Sequence, residues 1–353
     1  MPESPTPMPP SADATEIFRA TGRHPLAATL ALALRERCRV RPEGRIAVAT
    51  SGGGDSTALL VLLAALARRG EAPAPVALAI DHGLRPESGR ELDALETTCG
   101  RLGLPFVRRS VRIDGSRDNL LALARRARYR ALVAASEELG IGTLATAHQA
   151  DDRLESILLG LGRGRGLAAL AVPRSRRRLS ARLTLVRPLL GVPHAECVSF
   201  LEAIGVPWSE DASNHEPRRA RGYLRASVLP ALVARWPRSA VHAAGVADEL
   251  ALAVRALEAT CRRRFGLAER HAWPADRFRG VDPEFAAWAL RRAAFALDPA
   301  AAAPAGRSAW RAAARRAIAA SEPDTPPKRV RVGGLEVRCS RRRIELARPP
   351  ESP

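Results

Sequence analysis

The chain has 353 residues, of which 46% are hydrophobic, 4% aromatic and 26% charged. This is a globular composition with an aliphatic core and room for about two domains at roughly 150 residues each, which excludes a disordered or fibrous chain. The formal net charge is +19 and the pI about 11.4; that suits a polyanionic partner, because basic groups that meet phosphates release condensed counterions.

In chain order, residues 1–22 are expected to be an unstructured tail that begins rich in Pro, Ser and acidic groups. No apolar leader is read there, and the longest apolar run, Ala58 to Ala67, is too short to span a bilayer. A cytoplasmic protein with no membrane partner is expected. Residues about 24–38 predict a helix. Ile46 to Thr50 is a short apolar strand that ends in Ser51-Gly52-Gly53-Gly54-Asp55-Ser56, and an apolar helix follows through Leu66. Val76 to Ile80 is a second strand, ending in Asp81-His82-Gly83. Phe106 to Ile113 reads as a third strand and Asn119 to Leu139 as a helix, with Gly140 as its cap. Thr143 to Ala147 is a fourth strand, followed by a helix from about Asp151 to Leu161. A fifth strand lies near Leu183 to Val186.

Strands alternating with helices predict an α/β fold: a doubly wound parallel sheet of about five strands, buried on both faces. In such sheets ligands sit beyond the carboxyl ends of the strands. The glycine segment, Asp81-His82-Gly83 and His148-Gln149-Ala150-Asp151-Asp152 each follow a strand at that end. From about residue 236 the pattern changes to helices over 240–265, 283–297 and 305–320. Two alternating runs joined by Gly333-Gly334 then predict a β-hairpin, with a third short strand after it. The expected organisation is a domain over 23–235 and a smaller, mainly helical domain over 236–353 that ends in the hairpin.

The glycine segment has a clear chemical use. Three glycines allow positive φ and close backbone approach, and the following helix offers free N–H groups and a positive dipole end. Together these make an anion cradle suited to pyrophosphate, with Ser51 and Ser56 adding hydroxyls. No lysine lies nearby, so this is not a Walker loop. Asp55 would repel phosphate unless Mg²⁺ sits between them. Asp152 and Glu155 lie three apart on the polar side of their helix, where they could hold Mg²⁺ or orient a nucleophile; first-turn acids that simply favour the helix dipole are the plainer alternative. Arg125 and Arg128 share one helix face. The cysteines, Cys38, Cys99, Cys197, Cys261 and Cys339, form no C-x-x-C pair. Buried free thiols are expected rather than a disulfide framework, zinc site or iron–sulfur cluster.

These strings also resemble a known family. Ser51 to Ser56 after an apolar strand is similar to the PP-loop of N-type ATP pyrophosphatases, which cleave ATP between the α and β phosphates. Asp81 to Ser88, Ala124 to Tyr129, His148 to Ser156, Arg163 to Leu167, Trp208 to Asn214 and Arg221 to Arg225 resemble, in order and spacing, the motifs of the tRNA(Ile)-lysidine synthases within that group. The likeness covers about residues 45–235. Leu121 stands where many members carry Glu or Gln, and Gly222 where they usually carry Asn.

The resemblance implies an adenine nucleotide alpha hydrolase-like sheet and an ATP-dependent ligase that joins free lysine to C2 of the wobble cytidine in a CAU-anticodon isoleucine tRNA. ATP would adenylate the base, releasing pyrophosphate and then AMP. Ser51, Gly52, Gly53, Gly54, Asp55, Ser56, Asp81 and His82 would bind ATP, while Asp55 and Asp152 would share Mg²⁺. Asp55, Asp152, Glu155, Arg128 and His148 would be catalytic, and Arg85, Arg125, Arg221 and Arg225 would contact substrate or tRNA. The second domain would grip tRNA through Arg262–Arg264 and Arg341–Arg343. A homodimer is left open as the assembly. The alternatives are a PP-loop tRNA thiolase, usually built with paired or catalytic cysteines, and a nucleotide- or RNA-binding module without chemistry.

Overall fold

The computed structural model describes residues 12–81, 83, 87–111, 120–209, 220–266, 271–322 and 326–349. The chain divides into two compact units, Met1–Ala251 and Leu252–Pro353. The division therefore falls inside a long helix, rather than ahead of it at residue 235.

The first unit opens with a helix where a tail is expected. Helix α1 (Ala12–Arg23) buries Ala14, Ile17, Phe18 and Thr21, which recur at the spacing of one helical face. Arg68 stacks over the Phe18 ring at 4.4 Å. Burying Ile17 and Phe18 contributes about 1.5–3 kcal/mol each, which is why residues 12–22 are ordered and the tail expectation is corrected there. Helix α2 (Pro25–Leu32) runs on into a π-helical turn, Ala33–Cys38.

The α/β core follows as β1 (Arg45–Thr50), α3 (Gly54–Arg68), β2 (Ala74–Asp81), α4 (Glu87–Arg101), β3 (Phe106–Ser110), α5 (Leu120–Glu138), β4 (Thr143–Thr146), α6 (Ala150–Gly162), α7 (Leu167–Leu170), β5 (Arg176–Arg178), β6 (Thr184–Val186) and α8 (His194–Ala203). The strand order is β3-β2-β1-β4-β6-β5. Five of these strands are parallel, as expected, and β5 is an added antiparallel edge on β6. Side chains alternate between faces along each strand. Ile46 and Val48 of β1 join the core under α1, α3, α4 and α8, while Ala47 and Ala49 join the opposite core with Leu132 and Ala135 of α5. The unit continues through α9 (Ala220–Tyr223), a π-helical turn (Leu224–Val228), α10 (Leu229–Arg235) and the start of α11 (Ser239–Phe265).

The second unit holds the end of α11, then β7 (Ala272–Pro274), α12 (Pro283–Leu297), α13 (Pro299–Ala302), α14 (Arg307–Ala319), β8 (Lys328–Val332), β9 (Leu335–Cys339) and β10 (Arg343–Ala347). The expected hairpin is β8–β9, and β10 and β7 extend it into an antiparallel sheet of order β7-β10-β9-β8. Gly333, at φ +63°, and Gly334 turn against α13. A Cβ on Gly334 would lie 2.9 Å from the Ala301 Cβ, so the turn needs glycine for contact as well as for conformation. Among the described residues no helix is long and apolar enough to cross a membrane.

Candidate active site

The chain leaves β1 toward β2 and β3, then returns to β4 on the other side. In an open parallel sheet this reversal opens a crevice at the carboxyl ends of the two central strands. The glycine segment follows β1 and the Gln149–Asp152 segment follows β4. Because β1 and β4 are paired in parallel, the two segments leave the sheet side by side.

The glycine bend is built for close approach. Gly52 has φ +82°, and a Cβ there would sit 3.3 Å from the Glu91 carbonyl oxygen. Gly53 is the extended N-cap of α3 and offers no side-chain cap. Among the described residues the first N–H groups of α3 therefore lack intrahelical or side-chain acceptors, which is the arrangement that receives an anion. Gly53 also bridges to Ser209, whose N–H donates to the Gly52 carbonyl at 2.9 Å, and a Cβ on Gly54 would lie 3.4 Å from Cδ1 of the Trp208 ring. Trp208 thus packs beneath the bend, as a packing residue would. Ser56 braces the loop: its hydroxyl donates to the Gly53 carbonyl at 2.9 Å and accepts from the Ser51 N–H at 3.3 Å. Ser51 remains exposed.

Asp55 in the first turn of α3 meets a residue absent from the sequence reading. Its Oδ1 lies 2.8 Å from His194 Nδ1, and the His194 backbone N–H donates to Asp151 Oδ2 at 2.8 Å. His194, the first residue of α8, thereby ties the loop after β1 to the loop after β4. The hydrogen bond to Asp55 raises the His194 pKa above its ordinary value, against a smaller opposing effect of burial.

Helix α6 carries the expected acids. Asp152 Oδ2 accepts from the Gln149 N–H at 3.0 Å, and the Gln149 side chain accepts from the Asp151 N–H at 2.5 Å. This is a capping box that fixes the first turn. The other Asp152 oxygen, Oδ1, accepts from Arg225 at 3.3 Å. Glu155 is fully buried. It takes Arg225 Nε at 2.5 Å on Oε1 and Arg225 Nη2 at 3.4 Å on Oε2, with Arg221 Nε at 3.7 Å. Burial pushes the Glu155 carboxyl above its usual range, and Arg225 opposes that. Arg221 also donates to the Ser156 hydroxyl at 3.4 Å. The structure thus joins Asp152, Glu155, Arg221 and Arg225 in one cluster. Gly222 is buried in α9 between the two arginines.

A second cluster surrounds His148 at the end of β4. Its Nδ1 lies 3.0 Å from the Thr146 hydroxyl. Burial, and then the positive charges of Arg187, Arg125, Arg128 and Arg221, lower its pKa to about 3, so the ring is neutral at physiological pH. Arg125 stacks over Tyr129 at 5.2 Å. Burial lowers the Arg128 pKa as well. Arg187, which sequence reasoning missed, is buried and donates through Nη1 to the Arg174 carbonyl at 2.8 Å; among the described residues its Nε and the buried Thr50 Oγ1 have no hydrogen-bond partner. A concentration of cations around a neutral imidazole suits a phosphate group.

Other expected positions fall elsewhere. Asp81 accepts from Arg108 at 2.7 Å and from the Gly83 N–H at 3.0 Å, so it is engaged within the loop and with β3. His82, Arg85, Asp211 and Asn214 lie outside the described residues, as does the Leu121 side chain. All five cysteines are free, and all but the half-buried Cys261 are buried. Burial raises the pKa of each thiol. Among the described residues no group of three or more His, Cys, Asp or Glu side chains could hold a metal. Mg²⁺ makes a lesser demand, one or two carboxylates plus phosphate oxygens, and Asp55 at the cradle fits it. Asp152 has both oxygens engaged, in the cap and with Arg225.

The chain is 42% identical over 214 residues to a tRNA(Ile)-lysidine synthase of Pseudomonas aeruginosa, covering 60% of this chain and 47% of that one. It is 43% identical over 192 residues to one of Methylobacterium sp., 54% of each chain. A Deinococcus radiodurans tRNA(Ile)-lysidine synthase is 36% identical over 265 residues, 72% of this chain and 44% of that one. The chain spans about half the length of the curated relatives it matches. Among solved structures, the U34-tRNA thiolase NcsA from Methanococcus maripaludis superposes with a TM-score of 0.51 at 18% identity, over 67% of this chain and 79% of that one, a likeness of fold. The PP-loop domain model matches residues 26–232, more than half of the chain, and the chain belongs to the PP-loop domain family.

Proposed function

We propose that the protein is an ATP-dependent ligase that joins free lysine to C2 of the wobble cytidine in a CAU-anticodon isoleucine tRNA, forming lysidine. The observation that carries this reading is the convergence at the switch between β1 and β4. There His194 links Asp55, beside the glycine cradle, to Asp151 on the helix that bears Asp152 and Glu155. Relatives called tRNA(Ile)-lysidine synthases, 42% and 43% identical to this chain, support it.

The reaction has two displacements. The C2 oxygen of the cytidine attacks the α-phosphorus of ATP, the α–β phosphoanhydride breaks, and pyrophosphate leaves. The ε-amine of lysine then attacks C2, the C2–O bond breaks, AMP leaves with that oxygen, and the amine loses its proton. The residues suit these needs, since in-line displacement at phosphorus depends mainly on positioning and charge neutralisation. The uncapped start of α3 would hold the leaving pyrophosphate. Arg125, Arg128 and Arg187 around neutral His148 would hold the α-phosphate. Glu155, raised by burial, and Asp152 would orient the lysine amine and accept its proton. Mg²⁺, held with Asp55 as the carboxylate and Asp152 as a second ligand where Arg225 yields it, would neutralise phosphate charge. The wobble base must leave its stack, which is easy in an anticodon loop. In the second unit, exposed Arg262, Arg263, Arg341, Arg342 and Arg343 would meet tRNA phosphates. Arg264 is committed to the Arg277 and Arg279 carbonyls at 2.7 and 2.8 Å.

The test combines purified protein, ATP, labelled lysine and the CAU-anticodon tRNA. Lysine incorporation that requires both ATP and that tRNA is the expected result. Pyrophosphate release without lysine transfer, or incorporation indifferent to the anticodon, refutes the reading. A thiolase finds little support in five isolated thiols whose pKa values burial raises.

A further inference from the structure

Arg153 follows Asp152 on α6, yet its side chain turns into the protein. It is 1% exposed. Its Nη1 donates to the Ala244 carbonyl at 2.7 Å, its Nη2 to Asp248 Oδ1 at 2.7 Å, and its Nε to the Pro173 carbonyl at 3.3 Å. Asp248 in turn meets Arg37 at 3.2 Å through Oδ2. One guanidinium thus grips α11 and the segment after α7, and through Asp248 reaches the turn after α2. No step of the proposed reaction uses it. Stability is a weak reason for it, because apolar replacements of buried ion pairs are often neutral or stabilising. What a planar, multiply bonded guanidinium supplies beyond packing is a fixed direction.

We propose that Arg153 is a positioning residue, which sets the rotation of α6 about its own axis so that Asp151, Asp152 and Glu155 face His194 and Arg225. The inference rests on the proposed reaction for its kinetic consequence, though not for its structural one. Side chains place the edge of an α-helix about 5–6 Å from its axis. A rotation of roughly 10° would therefore move a carboxylate by about 1 Å, and a misplacement of that size can lower a rate on the order of 100-fold. The glycine cradle is carried by β1 and α3 rather than by α6, so binding of ATP is not expected to change.

The experiment compares the full chain with Arg153→Met, which keeps length and helix propensity, and with Arg153→Lys. Transfer of lysine to tRNA should show kcat lowered about 10- to 100-fold at unchanged KM for ATP in R153M, with partial recovery in R153K. A kcat within about twofold of the parent overturns the proposal, as does a loss shared equally by KM for ATP. If R153M fails to fold, Asp248→Asn takes its place, since Asp248 is about a third exposed. D248N should lower kcat with KM unchanged, and an unchanged kcat overturns the proposal. Amide hydrogen exchange separates this inference from the reaction itself. Without any substrate, R153M should exchange faster than the parent across residues 150–156 while α3 stays as protected; equal exchange in α6 overturns the proposal whatever the protein catalyses. Absence of pyrophosphate release from the parent chain would count against the ligase reading and leave the exchange result to decide this one.

Discussion

Replacing Arg225 by methionine isolates the charge pair at the centre of the site. The substitution leaves Glu155, whose side chain is 1% exposed, with Arg221 at 3.7 Å as its remaining cation. Removing one partner of a buried pair costs about 3–5 kcal/mol. Arg225 is itself 26% exposed and Arg221 remains, so a cost of about 2–3 kcal/mol is expected. Glu155→Gln keeps the shape and leaves Arg225 its contact with Asp152 at 3.3 Å, for a cost of about 1 kcal/mol. In a unit of this size 1 kcal/mol shifts Tm by about 2–4 °C. R225M should therefore melt about 5–10 °C lower and E155Q about 2–4 °C lower. The double variant should lose less than the sum, because the orphaned charge is gone. The pH dependence has a definite sign. Burial raises the folded pKa of Glu155 above an unfolded value of about 4.3. Loss of Arg225, which opposes that rise, lifts the folded value further, so the deficit of R225M relative to the parent should be full above the variant's folded value and shrink as pH falls through it toward the parent's. Calorimetry of the parent and the three variants serves as the assay. Equal losses from the two single variants, or strict additivity in the double, would refute the reasoning.

Asp55→Ala should lower ATP-dependent pyrophosphate release by at least about 100-fold while leaving tRNA binding by gel shift nearly intact; equal losses in both would place Asp55 outside the chemistry. Gly52→Ala puts a Cβ at φ +82° and 3.3 Å from the Glu91 carbonyl, at a cost of about 1–2 kcal/mol, and should lower Tm and raise KM for ATP together. The His148 ring, with a pKa of about 3, should show no change in its NMR shift between about pH 8 and 5, and a titration near 6.5 would show that the surrounding arginines do not act on it. Alanine at Arg262, Arg263 and Arg342 should flatten the salt dependence of tRNA binding by about 0.9 in log–log slope for each phosphate no longer neutralised; an unchanged slope removes these residues from the RNA interface.

The central sheet was legible because fully buried parallel strands are short apolar runs, and each was followed by a polar string that marks a carboxyl end. The glycine bend was legible for a related reason, since few backbone situations call for three consecutive glycines between a strand and a helix. What escaped was set by distant partners. His194 sits 139 residues from Asp55, in a segment whose only local signal was Cys197, Phe200 and Leu201, buried at helical spacing in α8. Arg187 follows β6 as an unremarkable basic residue, and only the fold brings it beside His148. Strand β5 is three exposed arginines, a pattern with no apolar alternation, and it exists because β6 offers an edge to pair with. Helix α1 had a readable stripe in Ala14, Ile17, Phe18 and Thr21, hidden beside the Pro- and Ser-rich start.

Strand β8 begins at Lys328, the sole lysine among 353 residues. Its exposed side chain is the protein's only side-chain amine, and it belongs to the second unit. An amine-reactive dye has that one side chain to modify, a known position on the second unit and a ready reporter of RNA arrival. The unit that carries the β1–β4 crevice has no lysine side chain of its own with which to form a covalent adduct.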